Sequence, residues 1–158
     1  MVNILKTLAF TLVAPGTVVF LIPFLIMGPN GRVFSLEDWR PLGLLLIGMG
    51  LVLYFSSAWH FAVTGKGTPA PIDPPKKFVA KGFYRWMRNP MYVGGFFILT
   101  GEALLYYFWP LLVYLVVVSV VVNLFVIYYE EPTLKKKFGR TYESYRKRVP
   151  RWIPKFNS

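Results

Sequence analysis

Lys81–Gly95 reads KGFYRWMRNPMYVGG. This basic, aromatic, glycine-bearing stretch runs straight into an apolar segment, and that junction decides the fold. Asn89-Pro90 marks a helix start, because proline is tolerated in a first turn where its missing N–H is not needed. From Met91 to Phe108 the chain is apolar, charged only at Glu102. Trp109-Pro110 turns it, and a second, valine-rich run extends from Leu111 to Tyr129. Both runs are long enough to cross a bilayer. In lipid a lone spanning segment satisfies its backbone only as a helix, so valine's preference for strands does not apply. The two runs therefore predict a tight antiparallel hairpin whose open ends share one membrane face.

Two more runs precede it, at residues 4–27 and 42–63. The first holds Pro15 and Pro23, with Lys6 near its end. It is too long for a signal peptide and reads as a retained, kinked helix. Gly28-Pro29-Asn30-Gly31 is a turn signal. Pro41 opens the second run, where Gly43, Gly48, Gly50, Ser56, Ser57 and Ala58 allow close helix contact. The composition agrees: 55% of residues are hydrophobic, above the usual share of a soluble domain. The expectation is one all-α integral membrane domain over 1–158. It has about four transmembrane helices, ends in a C-terminal helical hairpin and carries a basic cytoplasmic tail. The chain has no Cys, which excludes disulfides, thiolate nucleophiles and Cys-ligated metals.

The net charge of +11 is unevenly placed. Thr64–Asn89 carries six Lys or Arg against one Asp, and Glu130–Ser158 carries nine against three Glu. The loop from Arg32 to Arg40 is balanced and the Trp109 turn has no charge. The positive-inside rule puts both basic segments and both termini in the cytoplasm, with the bacterial inner membrane as the expected location. Charge flanking apolar spans implies contact with anionic membrane lipid rather than nucleic acid. The oligomeric state stays open. Four prolines keep Thr64–Lys81 from continuous helix. Its Gly65-Lys66-Gly67-Thr68 lacks the upstream glycine and strand of a phosphate loop. The tail reads as helices at Thr133–Phe138 and Thr141–Val149, broken at Gly139.

Polar groups converge at the cytoplasmic mouth of the hairpin. Arg88, Asn89 and Tyr92 come from one side, with Gly94 and Gly95 allowing close approach; Glu130 and Glu131 come from the other. The tail adds Tyr142, Tyr145, Arg148 and Arg151. Two adjacent carboxylates at a helix C-terminus oppose the helix dipole and call for cations. Those cations are either Arg88 and the tail arginines or a ligand's positive charge. His60 is either an interfacial group bonded to a carbonyl or water, or a polar lining of a substrate cavity. No ligand cluster accompanies it, so no metal is expected. Glu102 is either a protonated, buried carboxyl or a functional group facing a cavity.

Arg88-Asn89-Pro90-Met91-Tyr92-Val93-Gly94, then Glu130-Glu131, then Phe138-Gly139 with Tyr142, Tyr145 and Arg148-Val149-Pro150, resemble the isoprenylcysteine carboxyl methyltransferase family. That family is itself similar to membrane phospholipid N-methyltransferases. The resemblance covers roughly Gly65 to Pro154 and implies S-adenosylmethionine as methyl donor, bound without a Rossmann domain. It implies donor contacts from Tyr84, Arg88, Asn89, Pro90, Tyr92, Gly94, Glu130 and Glu131, with Glu130 and Asn89 catalytic. His60, Glu102 and Arg148 are the expected acceptor contacts. The residue chemistry agrees: carboxylates suit the donor's ammonium or ribose diol, an Arg suits its carboxylate, and Tyr84, Trp86 or Tyr92 can cover adenine. Two departures stand out. Asn89 replaces the family's usual His and cannot titrate near neutrality. Phe125-Val126-Ile127-Tyr128-Tyr129 lacks the Arg that prenylcysteine enzymes carry before the glutamate pair, which argues against that acceptor. The expected activity is methyl transfer to a lipophilic acceptor arriving sideways from the bilayer. The alternatives are a phospholipid amine N-methyltransferase specifically, an NADPH-dependent reductase of the sterol type, and a non-catalytic membrane scaffold.

Overall fold

The computed structural model describes residues 2–29, 40–65 and 78–156. The balanced loop at 30–39 and the proline-rich part of the basic loop, 66–77, lie outside the described residues, as does the Gly65–Thr68 fragment beyond its first residue.

Every regular element among the described residues is helical. α1 (Val2–Gly16) passes through a π-helical turn at Thr17–Leu21 into α2 (Ile22–Met27). α3 (Arg40–His60) ends in a second π turn at Phe61–Gly65. A short 3₁₀ turn at Gly82–Arg85 leads to α4 (Pro90–Tyr106). α5 (Pro110–Phe125) ends in a third π turn at Val126–Glu130, which continues into α6 (Glu131–Arg148). Three stretches are long and apolar enough to cross a membrane: Leu5–Met27, Arg40–Gly65 and the long helix starting at Pro110. The protein is an all-α integral membrane protein. The sequence reading expects about four spans. The fourth candidate, α4, has 17 residues and a length of about 25 Å, the short end of what spans a bilayer.

α3 and α4 pack antiparallel through two glycine pairs. A Cβ on Gly50 would lie 2.5 Å from the Gly94 oxygen, and one on Gly94 would lie 2.8 Å from the Gly50 oxygen. Gly43 and Gly101 repeat the contact at 2.8 and 2.6 Å, about two turns further along. Without side chains the backbones touch, which is how helices gain packing energy in lipid. Gly48, also expected at a contact, faces open space.

The turn between α4 and α5 is built from its own residues. Tyr107 adopts the left-handed conformation (φ 48°), and its N–H reaches the carbonyls of Ala103 and Leu104. Pro110 opens α5, and the fully buried Leu111 packs with Met27 and Ala103. Beyond it α5 exposes Val113, Val116, Val117, Val120 and Val121. In a bilayer that face meets acyl chains.

α6 kinks at Gly139 (φ 51°), where the sequence reading places a break. Tyr142, Tyr145 and Val149 then pack against Phe78 and Phe138. After α6 the chain returns as a strap. Arg88 N–H donates to the Pro150 carbonyl at 2.9 Å, and Lys155 N–H to that of Trp86 at 3.0 Å. The Trp152 indole donates to Asn123 Oδ1 at 3.1 Å, satisfying a polar side chain inside α5.

Candidate active site

A cavity of about 430 Å³ lies between α1, α3, α4, α5 and α6. Along α4 its lining runs from Asn89 to Leu99, about 15 Å of helix. At one end stand Tyr84, Arg88, Asn89, Tyr92, Glu130 and Glu131; the rest is walled by apolar groups such as Phe10, Val19, Ile98 and Val122. All three π turns contribute to it, through Val18 and Val19, Phe61, and Val126, Tyr129 and Glu130. A π turn holds one residue more than an α turn and so re-aims the helix beyond it.

The neighbouring carboxylates have different partners. Glu131 is buried and accepts from Arg88 Nη1 at 2.8 Å and from Arg151 Nε and Nη2 at 2.7 and 3.2 Å. Arg146 stands 3.9 Å away. These hydrogen bonds raise the Arg151 guanidinium above even its ordinary range, so it stays charged. Glu130 forms no ion pair among the described residues; its Oε2 accepts from the Tyr92 hydroxyl at 3.1 Å. Arg88 keeps one buried donor, Nε, without a partner. Asn89 is buried, and its amide nitrogen donates to the Arg151 carbonyl at 3.2 Å. Tyr84 is buried and its carbonyl receives the Tyr145 hydroxyl at 2.6 Å. Burial pushes the Tyr84 phenol well above its ordinary range, so it stays neutral.

The fold thus gathers Tyr84, Arg88, Asn89, Tyr92, Glu130 and Glu131 around one cavity. Other expected contacts stand elsewhere. Pro90 is buried at the start of α4, and Gly94 faces α3 rather than the cavity, because its bare backbone makes the glycine contact. The His60 ring lies against Gly82, which has φ 59° and no room for a Cβ there. Glu102 is buried near the far end of α4, with Oε2 unpartnered, more than three turns from Asn89. Arg148 is exposed on α6, where its Nε donates to the Ser144 carbonyl at 3.3 Å. Trp86 packs against Phe83 and Phe156 of the strap region. Sequence reasoning missed Thr11 and Tyr54, which line the cavity and bond to each other at 3.0 Å. The signal available was two polar groups in apolar runs, and nothing local pairs them across 43 residues.

Helices long and apolar enough for lipid thus line a cavity with one charged end. Residues 39–141 match the family model described as phospholipid methyltransferase. That is well over half of the chain, which therefore belongs to the phospholipid methyltransferase family. A methanethiol S-methyltransferase of Crocosphaera subtropica is 37% identical over 84 residues, covering 51% of this chain and 30% of the relative. The match spans less than a third of that relative's length. No solved structure matches.

Proposed function

We propose that the protein transfers a methyl group from S-adenosylmethionine to a lipophilic acceptor at the cytoplasmic face of the membrane. The observation that supports this most is the split between the two carboxylates. Glu131 is neutralised by arginines, while Glu130 faces the cavity with only a phenol for a partner. A half-buried carboxylate facing a cavity without a cation favours a ligand that brings one. The donor supplies an electrophilic methyl on a sulfonium and carries an ammonium group besides.

The residues fit that donor. Glu130 takes the ammonium or the ribose diol, and Tyr92 fixes the carboxylate's rotation. Arg88 Nε, buried and unpartnered, suits a carboxylate. Tyr84 and Tyr92 offer ring faces for adenine, and Glu131 holds Arg88 in place. Glu130, which touches the donor in this reading, is the catalytic residue. Asn89 is a positioning residue that ties the strap to the start of α4. The apolar walls exclude water, and catalysis would then be mainly alignment of acceptor, methyl and sulfur. As the acceptor's lone pair bonds to the methyl carbon, the carbon–sulfur pair returns to sulfur and S-adenosylhomocysteine leaves. The acceptor's proton passes to water at the charged mouth.

In this reading α4 completes four crossings, both termini and the basic segments are cytoplasmic, and the membrane is the bacterial inner one. The acceptor arrives from the bilayer. The family's description names a phospholipid, and the relative's name suggests a small thiol as a second candidate. The test joins two measurements on the purified protein in detergent. Calorimetric titration should show S-adenosylmethionine binding. Methyl-labelled donor incubated with a membrane lipid extract or with thiols should give a labelled, extractable product. Absence of donor binding would leave the scaffold reading in its place.

A further inference from the structure

The family match begins at residue 39, yet one wall of the cavity comes from the helix before it. Phe10, Thr11, Ala14, Pro15, Val18 and Val19 form that wall. It is clamped on both sides. The Tyr114 hydroxyl of α5 donates to the Val18 carbonyl in the π turn at 2.8 Å. On the other side Thr11 and Tyr54 are bonded at 3.0 Å. The Thr11 hydroxyl already donates to the Thr7 carbonyl at 2.8 Å, so in this pair the Tyr54 phenol is the donor. Its oxygen lone pairs are left for the cavity that it lines. Tyr92 is arranged alike, its hydroxyl donating to Glu130. The two tyrosines are close neighbours across the α3–α4 contact, where a Cβ on Gly94 would lie 3.0 Å from Tyr54 N.

Resting on the methyl-transfer reading, we propose that the N-terminal helix sets acceptor specificity. Tyr54, oriented by Thr11, accepts a hydrogen bond from the acceptor's polar group, and the wall from Phe10 to Phe20 limits its apolar chain. The ligand class is an amphiphile with one N–H, O–H or S–H group on a single chain. Volume supports this: about 430 Å³ lies near the small end of ligand sites, and the donor needs part of it. Gly95 marks the narrow place, since a Cβ there would stand 3.7 Å from Val19 Cγ2.

The experiment uses the full chain in mixed micelles, with ethylamine, hexylamine and dodecylamine and the three matching thiols as acceptors. It follows the series that the wild type methylates faster. Tyr54→Phe should raise the acceptor KM about tenfold, the loss of one hydrogen bond at the strong end of the range, with affinity for S-adenosylhomocysteine unchanged. Thr11→Val should have a smaller effect of the same kind, and none when added to Tyr54→Phe. Gly95→Leu should shift the preferred chain to a shorter one. Unchanged KM in Tyr54→Phe, with an unchanged chain profile in Gly95→Leu, overturns the proposal. So does a loss of S-adenosylhomocysteine affinity in Tyr54→Phe, which would assign the phenol to the donor. Failure of the wild type to bind donor at all would instead remove the methyl-transfer reading.

Discussion

Glu131 accepts from two guanidinium groups and Glu130 from a phenol, so removing each charge should be felt in a different place. Glu130→Gln should weaken S-adenosylmethionine binding by about 1.5–3 kcal/mol, roughly tenfold or more in affinity, and leave the melting temperature near its wild-type value. Glu131→Gln strands Arg88 and Arg151, whose side chains are 11% and 30% exposed. Breaking a buried pair costs on the order of 3 kcal/mol, so this variant should melt earlier in detergent. Glu143→Gln is the control, because that carboxylate pairs with Lys135 on the exposed face of α6. The reverse pattern would return Glu131 to the donor and make Glu130 the structural member. The sequence makes the glutamate pair conspicuous, since adjacent carboxylates at a helix end call for cations. It cannot divide the cations between them. That depends on a strap folding back to bring Arg151 within 2.7 Å of a residue 20 positions earlier.

The elements owe more to punctuation than to propensity. Pro90 and Pro110 open α4 and α5, and Gly139 breaks α6; each acts through its own backbone limits, which are local and therefore readable. The glycines of α3 were also readable as a packing face, but not which of them pack. Gly43 and Gly50 meet Gly101 and Gly94, while Gly48 meets nothing within 4 Å. The choice is set by the rotation of two helices about each other, which no single helix encodes. Gly50→Val should force α3 from α4, at a cost of about 1–3 kcal/mol or more for overpacking. Gly48→Ala should be neutral. Thermal unfolding in detergent with equal losses for both would refute the glycine contact as the seam. His60 shows the same limit: its polar ring at the end of an apolar run suggests a substrate contact, yet the ring packs on Gly82 across a gap of chain.

At the scale of the whole molecule, membrane class and all-helical fold were legible because lipid leaves so few solutions for an apolar run. The part played by the first helix was not. Its residues read as one more span, and only the assembled bundle makes them a cavity wall. Topology is open to direct test, since the sequence contains no Cys to remove. Single cysteines in the Pro69–Pro75 loop and in the tail should resist an impermeant thiol reagent added outside intact cells and react after permeabilisation. Labelling of the loop from outside would invert the proposed orientation. The three π turns carry a consequence of another kind. Those at Thr17–Leu21 and Val126–Glu130 are each, in effect, one surplus residue lodged in a continuing helix, and they bring Val18, Val126, Tyr129 and Glu130 to the lining. Deleting one residue from such a turn would leave hydropathy and charge balance almost untouched while rotating everything beyond it by about 100°. At Val126–Glu130 that rotation would carry Glu130 away from Tyr92. A single-codon deletion there, nearly invisible to any hydropathy plot, should therefore take Glu130 out of the cavity lining.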